Sequence, residues 1–265
     1  LPKMLGLIFA GTAFILFLVL FLPVLGVLLL IHRKNPGLAA KIGQPIVKYA
    51  FRFVMFFTGT KTYRFGIENI PRDRPVMFAS NHRGILDSAL AYGSLPVLAG
   101  FVAKKSVKKA PIFALWMKVL NCYFLDRDDP RDGIKMILNS VDEIKAGRSV
   151  FIAPEGTRSK TEEMNPFKEG SFKMATKTGC PIVPVAMSGA DDIFENSKPF
   201  VKRAVTVIQY GEPIYLDQLT DEQRKFVGAY TQEKVAEMLK THEKYIYNNP
   251  TQKKRRREAA AKQNS

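Results

Sequence analysis

Cysteine is scarce in this sequence: Cys122 and Cys180 are its only two, far apart and outside any CxxC spacing. Neither a disulfide framework nor a zinc site follows from them, and a reduced, cytosol-facing domain is the expectation. Histidine is almost as rare, at three residues, which leaves few places for proton chemistry near neutral pH. No G-x-S-x-G elbow occurs, so the usual presentation of a hydrolase serine is missing. No segment repeats at a fixed period, which sets aside solenoids and propellers. Acidic residues number 24 against 40 Lys and Arg, for a formal net charge of +16. That imbalance favours an anionic partner: nucleic acid, an anionic bilayer or a phosphorylated substrate. No nucleic-acid-binding motif accompanies it, and nucleic acid is the weakest of the three. The hydrophobic share of 46% excludes a disordered chain.

One absence is local. Between Met4 and Ile31 there is no charged residue at all. About 20 apolar residues cross a bilayer core, so the run is long enough to span one with tilt. It is too long for a signal-peptide core of ~7–15 residues, and no small-x-small cleavage site follows. Arg33, Lys34, Lys41, Lys48 and Arg52 crowd its C-terminal side, against Lys3 before it. The positive-inside rule then places the rest of the chain on the cytoplasmic side of the cell membrane. Pro23 and Gly26 fall inside the run and would kink a simple span. From Leu38 to Thr58, residues Ile42, Ile46, Tyr49, Phe53 and Phe56 recur at helical spacing, with Lys41, Lys48 and Arg52 between them. That pattern suits a helix lying in the headgroup layer, its start delayed by Pro45. A full span and a helical hairpin dipping into one leaflet are both open.

After Gly59, short β-rich runs alternate with helical stretches. Strands are predicted at Thr62–Gly66, Val76–Ser80, Gly100–Ala103, Asn121–Leu125, Ser149–Ile152, Ile182–Ala186 and Val205–Tyr210. Helices are predicted at Ser88–Tyr92, Ile112–Val119, Asp132–Ala146, Phe172–Thr178 and Asp221–Glu243. The alternation implies a three-layer α/β domain with a mixed, mostly parallel sheet over residues 59–249, preceded by a membrane-embedded helical segment, residues 1–58. The last of these helices carries Phe226, Val227, Val235, Met238 and Leu239, expected to pack on the sheet. Residues 250–265 form a basic tail whose run Lys253–Arg257 holds five positive charges. A solvated, disordered end and a contact with anionic lipid are equally good readings of it.

Three short segments carry chemistry. In Ser80-Asn81-His82-Arg83-Gly84-Ile85-Leu86-Asp87-Ser88, directly after a predicted strand, His82 is the histidine placed for proton transfer. His32 lies at the membrane boundary and His242 on a surface helix. In a regular helix positions i and i+5 point about 140° apart, so His82 and Asp87 meet only if the chain turns irregularly. Gly84 supplies that freedom. Asp87 would then fix the tautomer and stabilise the imidazolium, as in hydrolase triads. A general base without its own nucleophile suggests that a substrate hydroxyl attacks. Ala153-Pro154-Glu155-Gly156-Thr157-Arg158-Ser159 follows another strand. Gly156 could expose backbone N–H groups to an anion, and Arg158 could clamp a phosphate; Glu155 and Arg158 could equally satisfy one another. The third segment runs from Ala103-Lys104-Lys105-Ser106 to Phe124-Leu125-Asp126-Arg127. It reads either as a phosphate rim or, more readily, as a solvated basic face. The acidic stretch from Asp126 fails as an EF-hand, because Pro130 occupies a ligand position and no Glu stands at position 12. No metal is expected.

Taken together, these segments resemble the glycerolipid acyltransferases, in particular the bacterial 1-acylglycerol-3-phosphate acyltransferases. The N-H-x4-D box is Asn81-His82 to Asp87. The second block runs from Lys104-Lys105-Ser106 through Pro111 to Phe124-Leu125-Asp126-Arg127. The E-G-T-R box is intact at Glu155 to Arg158, and Ile182-Val183-Pro184-Val185 resembles the fourth. The resemblance covers roughly residues 75–190. It implies that His82 is the general base with Asp87 as partner, and that Glu155 and Gly156 belong to the catalytic pocket. It also implies that Lys105, Arg127, Thr157 and Arg158 bind substrate, chiefly its phosphate. The implied co-substrate is acyl-CoA or an acyl carrier protein thioester, with no cofactor. The implied partners are lysophosphatidic acid as acceptor and anionic membrane lipids. The alternatives are an acyltransferase for another lysophospholipid or glycerol phosphate, and a non-catalytic membrane-tethered lipid-binding protein. An intact His–Asp pair argues against the latter, since lipid binding needs no base.

Overall fold

The computed structural model describes residues 11–12, 14–161, 163–246 and 248–263. Of the uncharged N-terminal run, residues 4–10 and 13 lie outside the described residues. The helices are α1 (Phe14–Leu20), α2 (Leu22–Lys34), α3 (Pro36–Phe57), α4 (Asp87–Ser94), α5 (Pro111–Val119), α6 (Pro130–Lys145), α7 (Lys173–Thr178), α8 (Asp221–Lys225), α9 (Val227–Ile246) and α10 (Pro250–Gln263). The strands are β1 (Lys61–Phe65), β2 (Met77–Ser80), β3 (Ala99–Lys104), β4 (Tyr123–Leu125), β5 (Ser149–Ile152), β6 (Ile182–Ser188) and β7 (Val205–Tyr210). They form one sheet in the order β1-β7-β6-β2-β5-β3-β4, parallel throughout except between β6 and β7. Each predicted strand is present, within two residues at either end.

The layers follow from the strand period of two. Phe78 of β2 turns to one face, joining Phe101, Phe151, Leu90 and Trp116 together with Leu25, Leu28 and Val47 of the N-terminal helices. Its neighbours Met77 and Ala79 turn to the other, joining Val150, Ile152, Met136, Ile144, Met174, Val235 and Met238. Both faces of the central strands are therefore covered, as a mostly parallel sheet requires. Phe101 and Phe151 stack at 4.5 Å between ring centroids beneath the functional site.

The N-terminal helices differ from the sequence expectation in two respects. Pro45 does not delay α3: the helix starts at Pro36, capped by the Asn35 side chain, which accepts the Leu38 N–H at 2.9 Å, and it contains Pro45. Lys48 and Arg52 reach backbone carbonyls of the domain. With Gln44 they form one face of α3 at four-residue spacing, turned into the domain. Lys48 Nζ donates to Leu95 O at 2.8 Å and Arg52 Nε to Gly93 O at 2.6 Å, while Gln44 Oε1 accepts the Ala99 N–H at 3.0 Å. The two cations thus satisfy carbonyls at the C-terminal end of α4, where positive charge complements the helix dipole. The apolar stripe expected on α3 is turned outward: Ile42, Tyr49, Phe53 and Phe56 are exposed, as are Val19, Leu20, Val27 and Leu30 of α1 and α2. No single described helix is long and apolar enough to cross a membrane; α1 and α2 together are, but are bent by 61°, next to Pro23.

Two expectations at the C-terminal end are also corrected. Phe226 is exposed in the break between α8 and α9, while Val227, Val235 and Met238 are buried. Residues 250–263 form α10, not a disordered tail, because specific partners hold it. Gln252 pairs with both backbone groups of Val205 (2.8 and 2.9 Å). Arg255, also buried, donates to the carbonyls of Asp192 and Arg203 (3.1 and 2.9 Å), and Arg256 contacts Asp191 and Asp192 at 3.2 and 2.7 Å.

Candidate active site

The sheet register assembles the site. β2 and β5 are parallel neighbours with Ala79 opposite Ile152, and His82 and Glu155 each lie three residues beyond that pair. Both loops therefore leave the same edge side by side. Glu155 Oε1 accepts the His82 N–H at 2.7 Å, and the His82 carbonyl accepts the Ser159 N–H at 2.8 Å. On the other side, Asn81 exchanges two hydrogen bonds with the Met187 backbone (2.8 and 2.9 Å), locking the end of β2 to β6.

His82 and Asp87 meet as the irregular turn requires. His82 Nδ1 donates to Asp87 Oδ2 at 2.8 Å, and the same oxygen accepts the N–H groups of Arg83 and Gly84, each at 2.8 Å. Asp87 opens α4, where the helix dipole favours its charge. With the Nδ1 proton held there, Nε2 is left with its lone pair, the form a general base needs. Gly84 matters for close approach rather than for an unusual φ: a Cβ there would lie 2.9 Å from the Asp191 N.

Glu155 does not pair with Arg158, and it does not face the cavity as a reacting group would. It is buried, and its second oxygen accepts the Asn165 N–H at 2.8 Å, so both oxygens hold backbone; burial pushes its pKa up. Glu155 thus ties the backbone of His82 to that of Asn165. Gly156 has φ +75°, but its own N–H is taken, donating to Ala153 O at 3.1 Å. That N–H is therefore not the exposed donor the sequence suggested. Thr157 is exposed and Arg158 pairs with Glu195 at 2.8 Å; Glu195 also accepts the Ile85 N–H.

The basic rim also follows from register. Lys104 pairs with Leu125 across β3 and β4, so Lys105 and Asp126 emerge together and form a solvated ion pair of 2.9 Å. Arg127 instead has no carboxylate partner among the described residues. Burial and then the neighbouring Arg158 guanidinium bring its pKa below the ordinary value. Two guanidiniums that repel one another favour an anion between them.

His82, Asp87, Gly156 and Arg127 line one cavity of about 340 Å³. Its remaining wall is largely apolar, with Val102, Leu125, Ile137, Phe151 and Ile152 among the side chains. Lys105, Thr157 and Arg158 do not line it. Sequence reasoning missed three groups. Asp132 holds the turn that carries Arg127, accepting the Asp126 N–H at 2.6 Å and the Tyr123 hydroxyl at 2.9 Å. Ser80 places a buried, unpartnered hydroxyl on the cavity wall. Lys168 lines the cavity beside Gly156. The strand-end position of Ser80 was a legible signal; Lys168 offered none, being one lysine among many.

The site thus joins a His–Asp pair to a largely apolar cavity. The chain belongs to the acyltransferase family, whose model matches residues 63–188. Its relatives point to one branch. A probable 1-acyl-sn-glycerol-3-phosphate acyltransferase of Mycoplasma pneumoniae is 30% identical over 205 residues, 72% of this chain and 76% of that protein. The chloroplastic 1-acyl-sn-glycerol-3-phosphate acyltransferase BAT2 of Brassica napus is 33% identical over 202 residues, 74% of this chain and 56% of that protein. The chain thus spans about half the length of the Brassica relative. The crystal structure of the 1-acyl-sn-glycerophosphate acyltransferase of Thermotoga maritima shares the fold, with a TM-score of 0.73 and 21% identity, covering 91% of this chain and 98% of that one.

Proposed function

We propose that the protein transfers a fatty-acyl group from an acyl thioester to the 2-hydroxyl of 1-acylglycerol 3-phosphate, forming phosphatidic acid. The observation that carries this reading is the His82–Asp87 pair on the wall of a largely apolar cavity that Arg127 also lines. An acyl chain lies along the apolar wall, and the acceptor phosphate sits by Arg127, with Arg158 nearby. His82 Nε2 takes the proton of the 2-hydroxyl as its oxygen attacks the thioester carbonyl carbon. The carbonyl becomes a tetrahedral oxyanion, the C–S bond breaks, and the thiolate leaves with the imidazolium proton. The Asp87 carboxylate stabilises the imidazolium between these steps. Acyl-CoA or an acyl carrier protein thioester is the donor. The exposed apolar residues of α1, α2 and α3 enter one leaflet of an anionic membrane from the cytoplasmic side, so that both lipid substrates arrive laterally; the apolar stripe and the basic charge support this placement. Release of free thiol from acyl-CoA and from acyl carrier protein, measured with and without lysophosphatidic acid, tests the reading. Thiol release independent of the acceptor would sink it.

A further inference from the structure

The tetrahedral intermediate needs a donor for its oxyanion, and the N–H of Gly156 is already bonded to Ala153 O. The cation beside it is Lys168. A Cβ built on Gly156 would lie 2.8 Å from Lys168 Nζ and 3.1 Å from its Cε, so the lysine stem runs across the bare face of the glycine. Glycine at this position therefore answers two demands: a φ of +75° and room for the lysine. The base of Lys168 is held firmly. Its N–H donates to Pro154 O at 3.1 Å, the preceding Phe167 is buried, and the next residue, Glu169, caps the first turn of α9 through Gly228 and Ala229 at 2.9 and 3.0 Å. The ammonium has no carboxylate partner among the described residues, and it shares the cavity with His82. Arg127 lines the same cavity, so a phosphate contact is the rival role for Lys168 that the test must separate.

We propose that Lys168 is a further catalytic residue, whose ammonium donates to the oxyanion formed from the thioester carbonyl. A fixed positive charge aimed at charge that develops only in the transition state raises kcat rather than tightening substrate binding. This inference rests on the acyl-transfer reading. Acceptor-dependent thiol release by the wild-type chain establishes that reading separately, and its failure would be visible before any variant is made. The test uses the full chain with lysophosphatidic acid in mixed micelles, and compares Lys168→Met, Lys168→Gln and Lys168→Arg. Loss of one oxyanion donor typically costs about 10²–10³ in kcat. The expected result is a loss of that size in both neutral variants, a smaller loss in Lys168→Arg, and unchanged equilibrium binding of lysophosphatidic acid. Unchanged melting temperatures are expected, because Lys168 is an exposed residue with no carboxylate partner among the described residues. Weakened acceptor binding with near-normal kcat would overturn the proposal by making Lys168 a phosphate contact. Near-normal kinetics in all three variants would overturn it by leaving Lys168 without a part in the reaction.

Discussion

Glu155 offers the sharpest test of how this site is built. Both its oxygens accept backbone N–H groups, from His82 at 2.7 Å and Asn165 at 2.8 Å. Glu155→Gln keeps the size but leaves one acceptor oxygen for two donors, so one N–H faces an amide nitrogen. A buried unsatisfied donor costs about 1–3 kcal/mol, which for a chain of this size lowers Tm by roughly 2–10 °C. The amide oxygen can still serve His82, so kcat is expected to fall by less than about tenfold. Glu155→Ala removes both acceptors and frees the His82 backbone. A displacement of 1 Å at a reacting group can cost about a hundredfold, and a loss of that order is expected. Because burial raises the Glu155 pKa, ionising it costs stability as pH rises through its folded-state value. Gln cannot ionise, so the stability gap between wild type and Glu155→Gln narrows as pH rises from acid through that range. Circular-dichroism melts across pH, with thiol release measured alongside, supply both readouts. A Glu155→Gln protein that melts like wild type but has lost more than about a thousandfold in kcat would refute this account and return Glu155 to the reacting groups.

His82→Ala should fold and bind acceptor yet lose about 10²–10⁴ or more in rate. Asp87→Asn should be severely impaired too, with the double mutant little worse than the worse single, since the two act as a unit; additive losses in steady-state kinetics would separate them. Arg127→Ala and Arg158→Ala should reduce kcat/KM for the phosphorylated acceptor by roughly ten- to a hundredfold and shrink discrimination against monoacylglycerol. A variant with wild-type selectivity would mark its arginine as structural. His242 is buried between Ser188 and Gln209, and burial lowers its pKa from 6.5 to about 4. A base held neutral by folding contributes stability that is full above pH ~6.5 and lost as pH falls towards ~4, by about 3 kcal/mol in all. Urea unfolding of wild type and His242→Gln across this window should show the difference in stability between them shrinking as pH falls, and a pH-independent difference would refute the assignment.

Much of the fold was legible because it is local. Strands of three to seven residues, most of them apolar and bounded by Gly, Pro and charge, follow from period and propensity within a short window. The His82 turn was legible for the same reason: its glycine and its aspartate lie within five residues of the histidine. The second class of feature depends on which segments the fold brings together. Glu155 could be read as a partner for Arg158 until the Ala79–Ile152 register set its loop beside His82. Lys48 and Arg52 carry the same charge wherever they point, and only the docking of α3 on α4 turned them onto carbonyls. The tail Lys253–Arg257 left disorder and a lipid contact open because the partners that hold α10, Asp191 and Asp192, lie about 60 residues away. Lys168 became notable only against the bare face of Gly156. Side-chain type and spacing encode what a segment can form alone. A charge has no preferred partner until burial removes water as its alternative, and burial is a property of the assembled sheet and helices.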